Sequence, residues 1–234
     1  MDRAKAILVA TGNRHKVGEI RSILGAQYRV WSMHEVLDPP RLVEDAATFG
    51  GNAVAKATQL AGYLAGRPEA FEPGRDLAGF KVLAADSGLE VDALGGAPGV
   101  HSARFAHLGG GGVGNASDPE NNAKLLRLLA GIPVERRTAR FRCVLALVDL
   151  AWASAGGAAE LGEAVLFEGV CEGWIGFGPK GAGGFGYDPL FHPVGYEVSF
   201  AELGEEIKNG LSHRYRALVQ MRDWLGLRRG AGIS

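Results

Sequence analysis

Two cysteines in 234 residues exclude a disulfide-stapled scaffold, and Cys143 and Cys171 stand in apolar runs with no CxxC or Cys/His spacing for a structural metal. Buried thiols in a reducing compartment are expected, and with them a cytoplasmic location. Long apolar runs are also lacking. No stretch reaches the ~18 apolar residues of a membrane span, and the apolar part of the N-terminal MDRAKAILVATGN is far too short for a secretory signal. Neither charge sign is in excess: 25 Lys+Arg against 26 Asp+Glu leave a formal net charge of −1. A broad nucleic-acid or membrane-binding face is therefore not expected, and any basic site must be local. The sequence has no GxSxG, HExxH or GxxxxGK[ST], which argues against the commoner serine hydrolases, zincins and P-loop proteins.

Glycine is what the chain has in quantity: 36 of 234 residues, about twice the usual share of about 7%. Many turns and close backbone approaches follow. With 47% hydrophobic and 22% charged side chains, a chain of this length can bury about 70% of its unfolded surface. No internal repeat or clean linker appears, so residues 1–234 are read as one domain with two lobes and a cleft.

Lys5–Ala10 (KAILVA) predicts a strand, Thr11-Gly12-Asn13 a turn, and Val17, Ile20, Ile23 and Leu24 the apolar face of a helix. A second strand is predicted at Tyr28–Ser32. After Pro39-Pro40 a helix should run from near Thr48 to about Leu64, with Asn52, Lys56 and Gln59 on one face. Gly66–Gly79 reads as a surface excursion and Gly109–Gly114 as a flexible loop. Lys81–Asp86 is a buried strand that Leu89–Val91 continues, and Asn121–Leu129 a helix. Arg140–Leu150 and Ala164–Gly178 should be two long strands joined through Gly156-Gly157. The last helix is predicted at Leu211–Leu227, with a frayed tail over 228–234.

Chemistry concentrates in a few segments. Arg14, His15 and Lys16 occupy the opening turn of the first helix, against the helix dipole, and an anion there would remove the conflict. Ser212 is an N-cap candidate for the last helix, and His213, Arg214 and Arg216 repeat the conflict, with Lys208 just upstream. Asp86 ends an apolar strand and opens the turn Ser87-Gly88, a place where carboxylates line crevices in α/β enzymes. With Glu44 it could hold Mg²⁺, which takes one or two carboxylates plus phosphate and water oxygens. Gly183–Pro189 (GGFGYDP) offers Phe185 and Tyr187 as faces for a purine. Each feature also has a plain reading: a solvated basic turn, an aspartate capping a turn, a core aromatic pair.

Five segments stand in order: TGNRHK at Thr11–Lys16, Glu44 ahead of TFGGNAVAKA at Thr48–Ala57, ADSGLEVDALGGAPGVHSARFA at Ala85–Ala106, GAGGFGYDPLF at Gly181–Phe191, and KNGLSHRYRAL at Lys208–Leu218. Together they resemble the inosine triphosphate pyrophosphatase family, the dITP/XTP pyrophosphatases that remove non-standard purine nucleoside triphosphates. The resemblance covers nearly the whole chain. It implies an α/β, two-lobed fold with a long twisted mixed central sheet, flanking helices, an active-site cleft between the lobes, and a homodimer. It also implies attack of water on the α-phosphorus, giving a nucleoside monophosphate and pyrophosphate, with Mg²⁺ as cofactor.

By that resemblance Glu44 and Asp86 hold Mg²⁺ and Asp86 is the general base, either directly or through metal-bound water. Thr11, Gly12, Asn13, Lys16 and Lys56 grip the triphosphate, with Ser87 a further contact. Phe185 and Tyr187 sandwich the base beside Gly186, while Asp188, Lys208, Ser212, His213 and Arg214 read its edge and the ribose. The chain departs from the family pattern at Gly51 and Ala85, where relatives often carry acids. Two other readings are a purine-nucleotide sensor impaired in catalysis, and an RNA-binding module, for which the basic stripe with interleaved aromatics is missing.

Overall fold

The computed structural model describes residues 5–71, 80–110, 112–151 and 160–230. The apolar run KAILV makes strand β1 (Lys5–Val9), and helix α1 (Arg14–Leu24) buries Val17, Ile20 and Leu24, the spacing from which it is predicted. Gly25 ends α1 at φ 70, a conformation that favours glycine. The chain returns as β2 (Tyr28–Ser32), parallel to β1 with Lys5 opposite Tyr28. Helix α2 (Phe49–Gly66) starts at Thr48, whose Oγ1 accepts a 3.0 Å hydrogen bond from Gly51 N.

Strand β3 (Phe80–Val91) joins the two apolar stretches expected around Asp86 into one 12-residue element. Helix α3 (Asp118–Leu128) begins three residues before the predicted Asn121, because Ser117 and Glu120 form a capping box. Strand β4 (Thr138–Ala151) is followed by β5 (Glu160–Leu161) and β6 (Val165–Ile175). The predicted end of β6 at Gly178 is three residues too far: Gly176 N turns to Leu190 O at 2.8 Å. Short β7 (Phe191–Pro193), α4 (Phe200–Leu203) and α5 (Glu205–Leu211) were not predicted.

The last helix, α6 (His213–Gly230), is displaced from its predicted start because Leu211 closes α5. Residues 228–230 continue it, so the predicted frayed tail is wrong there; residues 231–234 lie outside the described residues. Gly156-Gly157, residues 72–79 of the predicted excursion and Gly111 of the glycine loop also lie outside them.

The strands lie in the order β2-β1-β3-β4-β6-β7, with β5 on β4. Parallel pairing of β1 with β2 and β3 and antiparallel pairing of β4 with β5 and β6 with β7 make the sheet mixed, as expected. The chain divides into two units, Met1–Asp86, Val144–Glu168 and Ala217–Ser234 forming the first, Ser87–Cys143 and Gly169–Arg216 the second. In the first, α2 packs Ala53, Ala57, Leu60, Ala61 and Leu64 against Leu8, Val82, Ala84, Ala146 and Val148. Alanine every fourth residue gives that helix face a low profile, and the Trp31, Phe71 and Phe80 rings, 5.0–6.0 Å apart, fill the same core. The second unit centres on Leu89, Phe105, Leu125, Phe141, Ile175, Leu190, Phe191 and Phe200.

Leu60 is fully buried. Leu60→Ala is expected to lower unfolding free energy by about 2–5 kcal/mol through lost transfer energy and a residual cavity. Urea denaturation measures it, and a loss below about 1 kcal/mol would mean that α2 is not packed as described.

Candidate active site

The first unit holds the phosphate-type candidates. Past β1, Ala10 N donates to Leu83 O at 2.8 Å and Thr11 N to Val9 O at 2.9 Å, so the turn leaves the sheet immediately. Thr11 Oγ1 accepts from Asn13 N at 3.2 Å, and Asn13 Oδ1 accepts from Lys16 N at 3.1 Å, making Asn13 the N-cap of α1. Gly12 O lies 2.9 Å from His34 Nε2. A carbonyl only accepts, so His34 donates from Nε2 and fixes the turn from outside. No acid occupies the first turn of α1, where Arg14 and His15 are exposed and Lys16 is half-buried.

One face of α2 organises the acids. Gln59 takes Val43 at both ends, accepting from its N–H at 2.9 Å and donating to its carbonyl at 3.1 Å. Lys56 Nζ donates to Glu44 Oε2 at 2.8 Å, and Asn52 Oδ1 accepts from Ala46 N at 2.9 Å. Spacings of three and four put these side chains in one row, so the helix holds segment 43–46 residue by residue. The same row reaches β3. Asn52 Nδ2 donates to Asp86 Oδ2 at 2.9 Å, while Lys56 Nζ donates to Ala85 O at 3.0 Å and stands 3.5 Å from Asp86 Oδ1.

Glu44, Lys56 and Asp86 are thus brought together, both carboxylates within 3.5 Å of one ammonium. Lys56 and Asp86 are buried, and Glu44 is at the solvent side with its side chain 44% exposed. Asn52, which links Asp86 to the segment carrying Glu44, is missing from the sequence-derived site. Its place beside Lys56 on the α2 face was the signal that could have found it.

The two departures have local reasons. A Cβ at Gly51 would lie 2.7 Å from Ala46 Cβ, so this segment passes too close for an acid there. Ala85 contributes its carbonyl to Lys56, and its side chain is buried. Two carboxylates suit Mg²⁺, which completes its shell with phosphate and water oxygens. Among the described residues no group of three or more His, Cys, Asp or Glu is placed to hold a metal.

The second unit holds the base-type candidates. Ser87 Oγ accepts from Arg214 Nη2 at 3.2 Å. Arg214 is 1% exposed, and burial pulls its guanidinium down to about 10, so it remains cationic at neutral pH. Ser212 Oγ accepts from Tyr215 N at 3.1 Å, the predicted cap, and the buried His213 ring stacks on Phe141 at 5.0 Å. Phe185 is half-buried, with Lys208 Nζ 4.7 Å and the Arg214 guanidinium carbon 6.0 Å from its ring centroid.

Two expectations need correction. Tyr187 is 4% exposed, its ring in the apolar core and its hydroxyl donating to Ser102 O at 2.8 Å, so it offers no face to a base. Asp188 is likewise turned inward. Its Oδ2 accepts from Phe185 N at 2.8 Å and Lys208 Nζ at 2.6 Å. Burial pushes its carboxyl up, against the pull of Lys208 and that N–H.

An α/β sheet protein with a lysine-bridged pair of carboxylates and, separately, an aromatic ring flanked by cations has the groups that handling a nucleotide requires. The chain belongs to the Ham1 family, which it matches over residues 7–224. It is 43% identical to a protein of Halalkalibacterium halodurans named dITP/XTP pyrophosphatase, over 94% of this chain and 99% of that one. With a Geobacter sulfurreducens protein of the same name it shares 42% identity over 94% and 96%. The solved Ham1 protein of Staphylococcus aureus superposes with a TM-score of 0.73 at 31% identity, covering 96% of this chain and all of that one.

Proposed function

We propose that the chain is a nucleoside triphosphate pyrophosphatase that cuts the non-standard purine nucleotides ITP, dITP and XTP to the monophosphate and pyrophosphate, clearing them from the nucleotide pool. The observation that carries this reading is the Glu44–Lys56–Asp86 cluster within the span that matches the Ham1 family. In it Asp86 takes the proton of the water that attacks the α-phosphorus, and the bond from that phosphorus to the oxygen bridging to the β-phosphorus breaks. Lys16, Lys56 and the Thr11-Gly12-Asn13 turn compensate the charge that moves onto the leaving pyrophosphate. Mg²⁺ held by Glu44 and Asp86 would add Lewis-acid stabilisation of the phosphate oxygens.

Phe185 stacks on the base, and Lys208 and Arg214 turn donors to its edge. Hypoxanthine and xanthine carry an oxo acceptor at C6, whereas adenine carries an amino donor, so ATP offers those donors no acceptor there and forgoes about 1–3 kcal/mol. The reading includes a homodimer acting in the cytoplasm. Among the described residues no helix is long and apolar enough to cross a membrane. A sensor impaired in catalysis is disfavoured, because the cluster closes without acids at 51 and 85: Ala46 fills one position and Ala85 O serves at the other.

The test is pyrophosphate release by the purified chain with Mg²⁺ from ITP, dITP, XTP, ATP and GTP. Fast release from the first three and slow release from ATP and GTP is expected. Equal rates on all five would overturn the substrate class, and binding without release would restore the sensor.

A further inference from the structure

The loop that carries Phe185 is held from helix α3, which contributes none of the site residues described above. Helix α3 begins at Asp118, one residue after its N-cap Ser117, whose capping box with Glu120 already closes the N-terminus. The Asp118 carboxylate is therefore not needed as the cap. It reaches across instead, and its Oδ2 accepts from Gly186 N at 2.6 Å. One turn along, Asn122 Nδ2 donates to Gly186 O at 3.1 Å. Both polar groups of Gly186 are thus bound by α3, while the Phe185 N–H is bound from the other side by Asp188.

Nothing packs where a Gly186 side chain would stand. Gly186 has φ +64, and a Cβ built on it would meet nothing within 4 Å. A pocket of about 410 Å³ opens beside it, lined among others by Asp118, Asn122, Leu126, Pro179, Phe185 and Gly186. Asn122 Oδ1 is buried there with no hydrogen-bond partner among the described residues, so the bond to Gly186 is what orients that amide. Next to open volume, a peptide keeps its orientation through its hydrogen bonds, and the two peptides that meet at Gly186 set where the Phe185 ring stands.

We infer that Asp118 and Asn122 are positioning residues that set the affinity for the purine base by fixing the chain on both sides of Gly186, Asp118 through the N–H of the Phe185–Gly186 peptide and Asn122 through the carbonyl of the Gly186–Tyr187 peptide. The inference rests on the reading of Phe185 as the base platform. It separates base from phosphate, since neither residue belongs to the Glu44–Lys56–Asp86 cluster. Asp118→Ala and Asn122→Ala should raise KM for ITP by about five- to tenfold and leave kcat within about twofold. Product inhibition by IMP, which carries the base, should weaken by the same factor, and inhibition by pyrophosphate, which does not, should stay unchanged.

Asp118→Asn is the discriminating variant. Its amide oxygen accepts the same Gly186 N–H, so KM should return to within about twofold of wild type. A structural role in α3 alone would instead lower Tm in the alanine variants without separating IMP from pyrophosphate. Should Asp118→Ala not fold, Asn122→Ala, beyond the capping box, carries the test. Unchanged KM and unchanged IMP inhibition in a folded Asn122→Ala chain would overturn the inference, as would equal weakening of IMP and pyrophosphate. If wild type binds ITP but releases no pyrophosphate, the activity falls and not this inference. IMP binding by calorimetry then decides it: a five- to tenfold weaker Kd in the alanine variants supports it, and an unchanged Kd overturns it.

Discussion

Asp86→Asn is expected to cut pyrophosphate release from ITP by roughly 10²- to 10⁴-fold, the range for loss of a general base, while ITP still binds within about tenfold. The neutral isostere keeps the shape and loses the charge. It also meets a local conflict that makes the result readable. Asp86 Oδ2 now accepts from Asn52 Nδ2, and Oδ1 faces Lys56 Nζ at 3.5 Å. An amide has one oxygen, so either Asn52 or Lys56 would face its NH₂ group, at a cost of about 1–3 kcal/mol in stability. A modest fall in Tm should accompany the loss of turnover. Kinetics and calorimetry on the same preparation check both, and near-normal turnover would remove Asp86 from the mechanism.

Asn52 shows where sequence reading stops. Its neighbours in the chain place it on the α2 face with Lys56 and Gln59, and the helical period makes that legible. Nothing in the sequence says that β3 and segment 43–46 lie against this face, so its two partners, Asp86 and Ala46, emerge only from tertiary pairing. The strands and long helices were readable because period and apolar runs are local signals. β7, α4 and α5 were not, since elements of three, four and seven residues are too short for a period to show.

Tyr187 was misassigned for a related reason. In GGFGYDP the composition offers two rings, and which one faces the core depends on backbone turns at Gly184 and Gly186, at φ +74 and +64. Those turns put Phe185 on the loop surface and Tyr187 inside. The start of α3, by contrast, was legible and overlooked: Ser117-Asp118-Pro119-Glu120 combines a capping box with an early proline, both helix-start signals. Reading it would have placed Asp118 on the helix from the outset.

Arg214→Ala is expected to lower kcat/KM for ITP by about 1–3 kcal/mol in transition-state terms, a factor of about five to one hundred and fifty, while the poor rate on ATP barely changes. The ITP-to-ATP ratio should collapse. Arg214 is buried at the first turn of α6, so its removal also leaves a cavity and lowers stability. The ratio is immune to that loss, because both substrates are measured on the same folded fraction. Arg214→Lys keeps a cation in the same place without the planar fork, and should recover part of the ratio. Were the guanidinium instead bound to phosphate, both nucleotides would suffer alike, since their triphosphates are identical. Its charge persists through the neutral range, because burial lowers it only to about 10, so the wild-type ratio should not titrate near neutral pH on its account. Parallel kinetics on ITP and ATP separate the roles, and an unchanged ratio with both rates reduced would move Arg214 from the base edge to the phosphates.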